Sequence, residues 1–171
     1  MILNNKMIKL WLDHVYWTRE FIITKHKKIT DIIVNMLIKN QNDIGSIFET
    51  YFPNTKKSIT ALLIEHIQIT AQYIEYLREN DIKAKELLNK WYQNADKISA
   101  VLSKLLNIQE NEIKSMMYEH INLTNDEIIL HLQNKYEEAS LKFLEISEQA
   151  LKMGQILTYA IARKKFINFL F

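Results

Sequence analysis

Only two Gly and one Pro occur in 171 residues. Glycine supplies the positive-φ positions of tight turns and of phosphate-cradling loops, and proline is a common helix breaker. A chain this short of both is expected to form long, uninterrupted helices. It also has no glycine-rich loop to bring backbone amides against a phosphate, which argues against an α/β nucleotide-binding fold.

The rest of the composition narrows the class. Apolar residues make up 48% and charged residues 25% of the chain, the mixture of a globular domain rather than a disordered one. A formal net charge of +2 predicts no strong non-specific attraction to nucleic acid, and no specific nucleic-acid partner is expected. The absence of Cys rules out disulfides, thiolate nucleophiles and zinc–thiolate clusters, and fits a cytoplasmic protein. The opening Met1-Ile2-Leu3-Asn4-Asn5-Lys6 lacks the unbroken apolar core of a signal peptide. No stretch approaches the roughly 18 apolar residues of a transmembrane segment.

Apolar residues recur at three- and four-residue spacing almost throughout, which predicts amphipathic helices. The first runs from about Asn5 to Lys27, and the second from a Thr30-Asp31 cap to Phe52. Pro53-Asn54-Thr55 precede a third over Lys56 to Arg78, and Asn80-Asp81 start a fourth that reaches Leu106. The fifth follows Asn107–Glu110 and extends to His131; the sixth starts at Asn134 and runs to Lys165. Each is near 35 Å long at 1.5 Å per residue. Short junctions between such helices imply an all-α, antiparallel up-down six-helix bundle, a single domain over residues 1–171. It reads as three repeated helical hairpins, 5–52, 56–106 and 110–165.

The repeat rests on one motif: an acidic residue, His, a β-branched residue, any residue, a large apolar residue, then Thr. It occurs as Asp13-His14-Val15-Tyr16-Trp17-Thr18, Glu65-His66-Ile67-Gln68-Ile69-Thr70 and Glu119-His120-Ile121-Asn122-Leu123-Thr124. The copies stand roughly 53 residues apart, the spacing of a helical-hairpin unit. Thr124-Asn125-Asp126-Glu127 also has the form of a capping box, which would break the fifth helix there. Continuity is favoured, because Thr18 and Thr70 fall inside uninterrupted helical patterns.

Each motif His lies on the apolar side of its helix, where a buried ring needs a partner. In an up-down bundle all three stand at similar height. Folding each hairpin back brings Asn40 and Asn94 to the same level; in the sixth helix the step of 53 to 54 lands on Ser147 and Glu148. The chain is thus expected to carry a polar layer across its middle. In one reading that layer binds a divalent transition metal or a small polar ligand. His14, His66 and His120 are then the metal ligands, and Asn40, Asn94, Thr18, Thr70 and Thr124 complete the ligand-binding layer. Asp13, Glu65 and Glu119, about 100° around the helix, would orient neighbouring rings. In the alternative, the same residues form a closed hydrogen-bond network that fixes helix register in a non-catalytic structural or interaction module. An enzyme using a His as general base is a third reading, with no catalytic residue marked.

Other features have plainer explanations. His26 and His131 fall near helix ends, and Trp11, Trp17 and Trp91 suit a core. Lys25-His26-Lys27-Lys28 and Arg163-Lys164-Lys165 are placed at helix C-termini, where cations complement the dipole. The C-terminal tail, with Phe166, Phe169 and Phe171, is a candidate homodimer contact.

The segments Leu10–Arg19 with Phe21-Ile22-Ile23, Lys90–Ile98, Met117–Thr124 and Gln149–Met153 resemble a group of small, uncharacterised, all-helical bacterial proteins, often mislabelled acetylglutamate kinase or glycosyltransferase. The resemblance covers nearly all of the chain and implies the helical fold and the His positions. It implies no activity, and both inherited labels belong to folds with strands and glycine turns. The chain departs from the group's pattern at Gly154-Gln155 and in its basic ending after Ala160-Ile161-Ala162.

Overall fold

A computed structural model describes residues 2–170, with side chains to Phe166. Six helices are present among the described residues: α1 Ile2–Ile23, α2 Lys27–Tyr51, α3 Lys56–Arg78, α4 Ala84–Leu106, α5 Glu110–Leu132 and α6 Tyr136–Leu170. Each packs on the one that follows, and α6 packs back on α1. No strand occurs among the described residues, and no helix there is long and apolar enough to cross a membrane. The core is a continuous apolar cluster including Met7, Phe48, Ile74, Trp91, Ile121 and Leu157.

The junctions show how a glycine-poor chain turns. Among the described residues, four non-glycine residues have positive φ, and all are Asn: Asn54 (70°), Asn80 (54°), Asn107 (55°) and Asn134 (62°). Asn tolerates the left-handed region better than other side chains. After α3, the Asp81 amide donates to the Tyr76 carbonyl at 2.8 Å and that of Asn80 to Leu77 at 3.2 Å. After α5, Lys135 and Asn134 repeat the pair onto Leu130 and His131. These are Schellman closures, with Asn in glycine's usual place. Asn80 and Asn134 therefore end the preceding helix instead of starting the next one.

Other boundaries also differ from the sequence reading. Helix α2 begins at Lys27, before Thr30, whose hydroxyl donates to the His26 carbonyl at 3.2 Å. Lys27 and Lys28 thus occupy a helix N-terminus, not a C-terminus. Helix α4 begins at Ala84 because Asp81 accepts the Lys83 amide at 2.9 Å in a local turn. Helix α6 runs past Arg163-Lys164-Lys165, so that basic run is not terminal. Helix α5 continues through Thr124-Asn125-Asp126-Glu127 as expected.

Both glycines are helical, and they should respond oppositely to a methyl group. A Cβ on Gly154 would lie 2.9 Å from Ile8 Cα and 3.2 Å from Ile8 N, backbone that cannot step aside. A Cβ on Gly45 would meet only the Thr60 hydroxyl, at 2.1 Å. That hydroxyl has no hydrogen-bond partner and can rotate away without losing one. Gly154→Ala is expected to force α6 off α1 and cost about 1–3 kcal/mol in urea denaturation. Gly45→Ala should be near neutral, since up to about 1 kcal/mol of helix propensity offsets the local shift.

Candidate functional site: a buried histidine layer

Offsets from each motif His explain why its ring points inward. The residues at −7 (Met7, Ile59, Ile113), −3 (Trp11, Leu63, Met117), +1 (Val15, Ile67, Ile121) and +8 (Ile22, Ile74, Ile128) are all buried and apolar. They make one stripe at helical period, with the His in its middle. His14, His66 and His120 are 5%, 4% and 3% exposed. Inside the bundle they meet: the centroids of His14 and His120 are 5.6 Å apart, and those of His66 and His120 are 6.4 Å apart in a stacked pair. Trp11 sits edge-on to both His14 and His120.

Every ring is tethered by an amide from the following even-numbered helix. His66 Nδ1 bonds Asn94 Oδ1 at 2.8 Å, and Trp91 Nε1 donates to His66 Nε2 at 2.8 Å. His120 Nδ1 bonds Gln149 Oε1 at 3.2 Å. His14 Nδ1 lies 3.2 Å from Gln41 Nε2, which also donates to Asn40 Oδ1 at 2.9 Å. Asn94 and Gln149, and Asn40 standing behind Gln41, are anchored to the backbone carbonyl four residues before each His. Asn40 donates to Leu10 (2.9 Å), Asn94 to Leu62 (3.1 Å) and Gln149 to Met116 (2.9 Å). Asn94 also donates to Glu65 at 3.0 Å.

These partners assign the tautomers. Asn94 and Gln149 present oxygen to Nδ1, so His66 and His120 carry their proton there. Gln41 presents N–H, so His14 accepts at Nδ1 and carries its proton on Nε2. The two closest rings thus have complementary outer nitrogens, a donor on His14 and an acceptor on His120. All three are neutral. Burial holds His66 down to about 3 and His120 to about 4, and burial, with the neighbouring imidazoles, holds His14 well below the usual range.

No protein-family model, curated protein or solved structure matches the chain. Function has to be read from the residues themselves.

Several sequence-derived assignments need correction. Thr18 and Thr70 do not reach a ring; their hydroxyls donate to the His14 and His66 carbonyls at 2.9 and 2.8 Å. That is the local back-bonding expected of a mid-helix Thr. Thr124 is buried with no hydrogen-bond partner. Asn40 reaches His14 only through Gln41. In α6 the amide is Gln149, not Ser147 or Glu148; Ser147 donates to the Phe143 carbonyl in its own helix. None of the motif carboxylates is bonded to a ring. Asp13 pairs with Lys9, and Glu65 with Lys97 and Asn94. Among the described residues, no group of three or more His, Cys, Asp or Glu could hold a metal ion. At this layer Asn94 and Trp91 engage both nitrogens of His66.

A second buried polar contact escaped the sequence reading. Glu127, 2% exposed, pairs with Arg19. Arg19 also bonds the Ser140 hydroxyl at 3.0 Å and lies 4.7 Å above the Phe143 ring. Burial pushes the Glu127 carboxyl up to about 7, with Arg19 opposing the shift. Nothing local marks Arg19 and Glu127 as partners, since 108 residues separate them.

Proposed function

We propose that this chain is a non-catalytic structural or interaction module. In this reading six helices run alternately up and down as three copies of one hairpin. The buried histidine–amide units fix their register, and function is carried by the outer surface. The observation that supports it most is chemical closure. Each neutral imidazole is buried against an amide; Asn94 and Gln149 are locked directly to a backbone carbonyl, and Gln41 is held by Asn40, which is locked to one. A general base needs a substrate within hydrogen-bond reach, and a ligand site needs a cleft. The open clefts beside Arg78, Asn54 and Lys39 are lined by other residues.

A metal or small polar ligand at the layer is the second reading, and one observation favours it. His14 and His120 stand close together and bond their amides through Nδ1 alone. Thermal melts of tag-free protein with Zn²⁺, Ni²⁺ or a chelator separate the two readings. An ion at about 100 times its Kd would add about 2.7 kcal/mol to stability. The scaffold reading expects an unmoved Tm throughout. A dose-dependent rise that disappears in His14→Asn or His120→Asn would overturn it.

A further inference from the structure

The face of α6 turned away from the bundle is unusually apolar. Leu141, Leu144, Leu151, Ile156, Tyr159 and Phe166 are all exposed, Leu144 by 60% and Tyr159 by 70%. At 100° per residue they share one stripe. Leu141 to Tyr159 alone span about 27 Å at 1.5 Å per residue. Scattered exposed apolar residues are ordinary, but an exposed face of this length that keeps six large apolar residues around Glu145, Glu148, Lys152 and Gln155 marks a contact surface.

The charges along the stripe say what covers it. Its N-terminal half carries Glu137, Glu138, Glu145 and Glu148, with Lys142 paired to Glu145, whereas no acidic residue follows Glu148 and Lys152, Arg163, Lys164 and Lys165 do. Four pairs along it are also symmetric about residue 150. Leu141 and Tyr159 are equally distant from it, as are Leu144 and Ile156, Glu148 and Lys152, and Glu137 and Arg163. Turning one α6 end for end against another therefore sets apolar on apolar and acid on base at these four pairs, with Glu145 facing Gln155 and Glu138 facing Ala162. Glu137, Glu148 and Lys152 are exposed and form no salt bridge among the described residues, so they are free to pair outward. An isologous two-fold contact requires this self-complementarity, whereas an unrelated partner has no need of it.

We infer that α6 is the self-association face of the chain: two copies pair antiparallel along Leu141–Tyr159, with Glu148 of each opposite Lys152 of the other. The inference builds on the reading that the surface carries the function. It differs from a contact made by the tail, whose Phe169 and Phe171 side chains lie outside the described residues. A single helix pair is a small interface, so the dimer is expected to be reversible, at micromolar concentrations.

Sedimentation of the full chain across about 1–100 µM tests it. The 20.4 kDa chain should shift from monomer to dimer mass. Leu144→Glu should weaken association at least about tenfold with an unchanged melt, because the side chain is exposed in the monomer. Glu148→Lys alone should weaken it about threefold to tenfold, and so should Lys152→Glu; the double swap should restore it. A monomer at every concentration, a dimer indifferent to Leu144→Glu, or a double swap no better than either single change would each overturn the proposal. The failures are separable. A monomer with a metal-inert histidine layer removes only the dimer, whereas a dimer whose layer binds zinc removes only the scaffold reading.

Discussion

Acidification from pH 7 to about 4 is expected to unfold the bundle, with most of the loss before the surface carboxylates titrate. His14, His66 and His120 are neutral in the fold, with proton affinities driven down by burial, to about 3 for His66 and about 4 for His120. In the unfolded chain each returns to about 6.5. Below that pH the unfolded state holds protons that the folded state refuses, so stability falls as pH falls. Each such proton is worth about 1.4 kcal/mol per pH unit. Above about 6.5 the three rings add no pH dependence.

Glu127 works in the opposite direction. Its folded pKa of about 7 lies above the ordinary carboxylate value, so between about 4.5 and 7 the folded state holds a proton that the unfolded state has lost. Three histidines less one glutamate leave a net of about two protons, or about 3 kcal/mol per pH unit, between about pH 5.5 and 4.5. Two units of acid therefore remove about 5 kcal/mol, comparable with the whole stability of many domains. Urea denaturation at pH 7, 6 and 5 measures the slope. Glu127→Gln removes the opposing proton and should steepen it by about 1.4 kcal/mol per unit. Stability that stays flat between pH 7 and 5 would mean that the rings accept protons while folded, and that the layer is wet.

Which parts of this layer could be read from the sequence has a geometric reason. The histidines were legible because each sits in a local stripe, where the −7, −3, +1 and +8 positions carry the signal within one helix. Their partners were less so, because they depend on how each hairpin closes. Gln41 lies 27 residues after His14, Asn94 lies 28 after His66, and Gln149 lies 29 after His120. The separation grows by one in each hairpin, so a fixed step finds Asn94 and misses Gln149. The amide also changes from Asn to Gln, whose extra methylene alters its reach. The motif threonines misled for another reason: identical spacing cannot distinguish a hydroxyl facing a ring from one bonded to its own helix. The Asn residues at the junctions were seen as boundaries, but their work is done at the end of the preceding helix. The Arg19–Glu127 pair is a product of packing alone.

Removing the His66 ring should be the most damaging of the three single deletions. His66 is the histidine with both nitrogens bonded to side chains, Asn94 at 2.8 Å and Trp91 at 2.8 Å. His66→Leu fills much of the ring's volume but leaves Asn94 Oδ1 and Trp91 Nε1 unpaired in the core. Each orphaned group costs about 1–3 kcal/mol, for a total of about 3–5 kcal/mol with imperfect packing. His120→Leu orphans only the Gln149 oxygen, because the Gln149 N–H keeps the Met116 carbonyl, so about 1–3 kcal/mol is expected. Converting the partners as well reverses the trend. In His66→Leu/Trp91→Phe/Asn94→Leu no buried polar side-chain atom of that unit is left unpaired: the Glu65 carboxylate, which loses Asn94, keeps Lys97 and solvent, and the Leu62 carbonyl remains in its helix. The triple variant should therefore be more stable than His66→Leu alone, a non-additivity of at least about 1 kcal/mol in urea denaturation. A triple variant as unstable as the sum of its single changes would place the destabilisation in lost shape, and the unit would then be packing rather than a closed hydrogen-bond network.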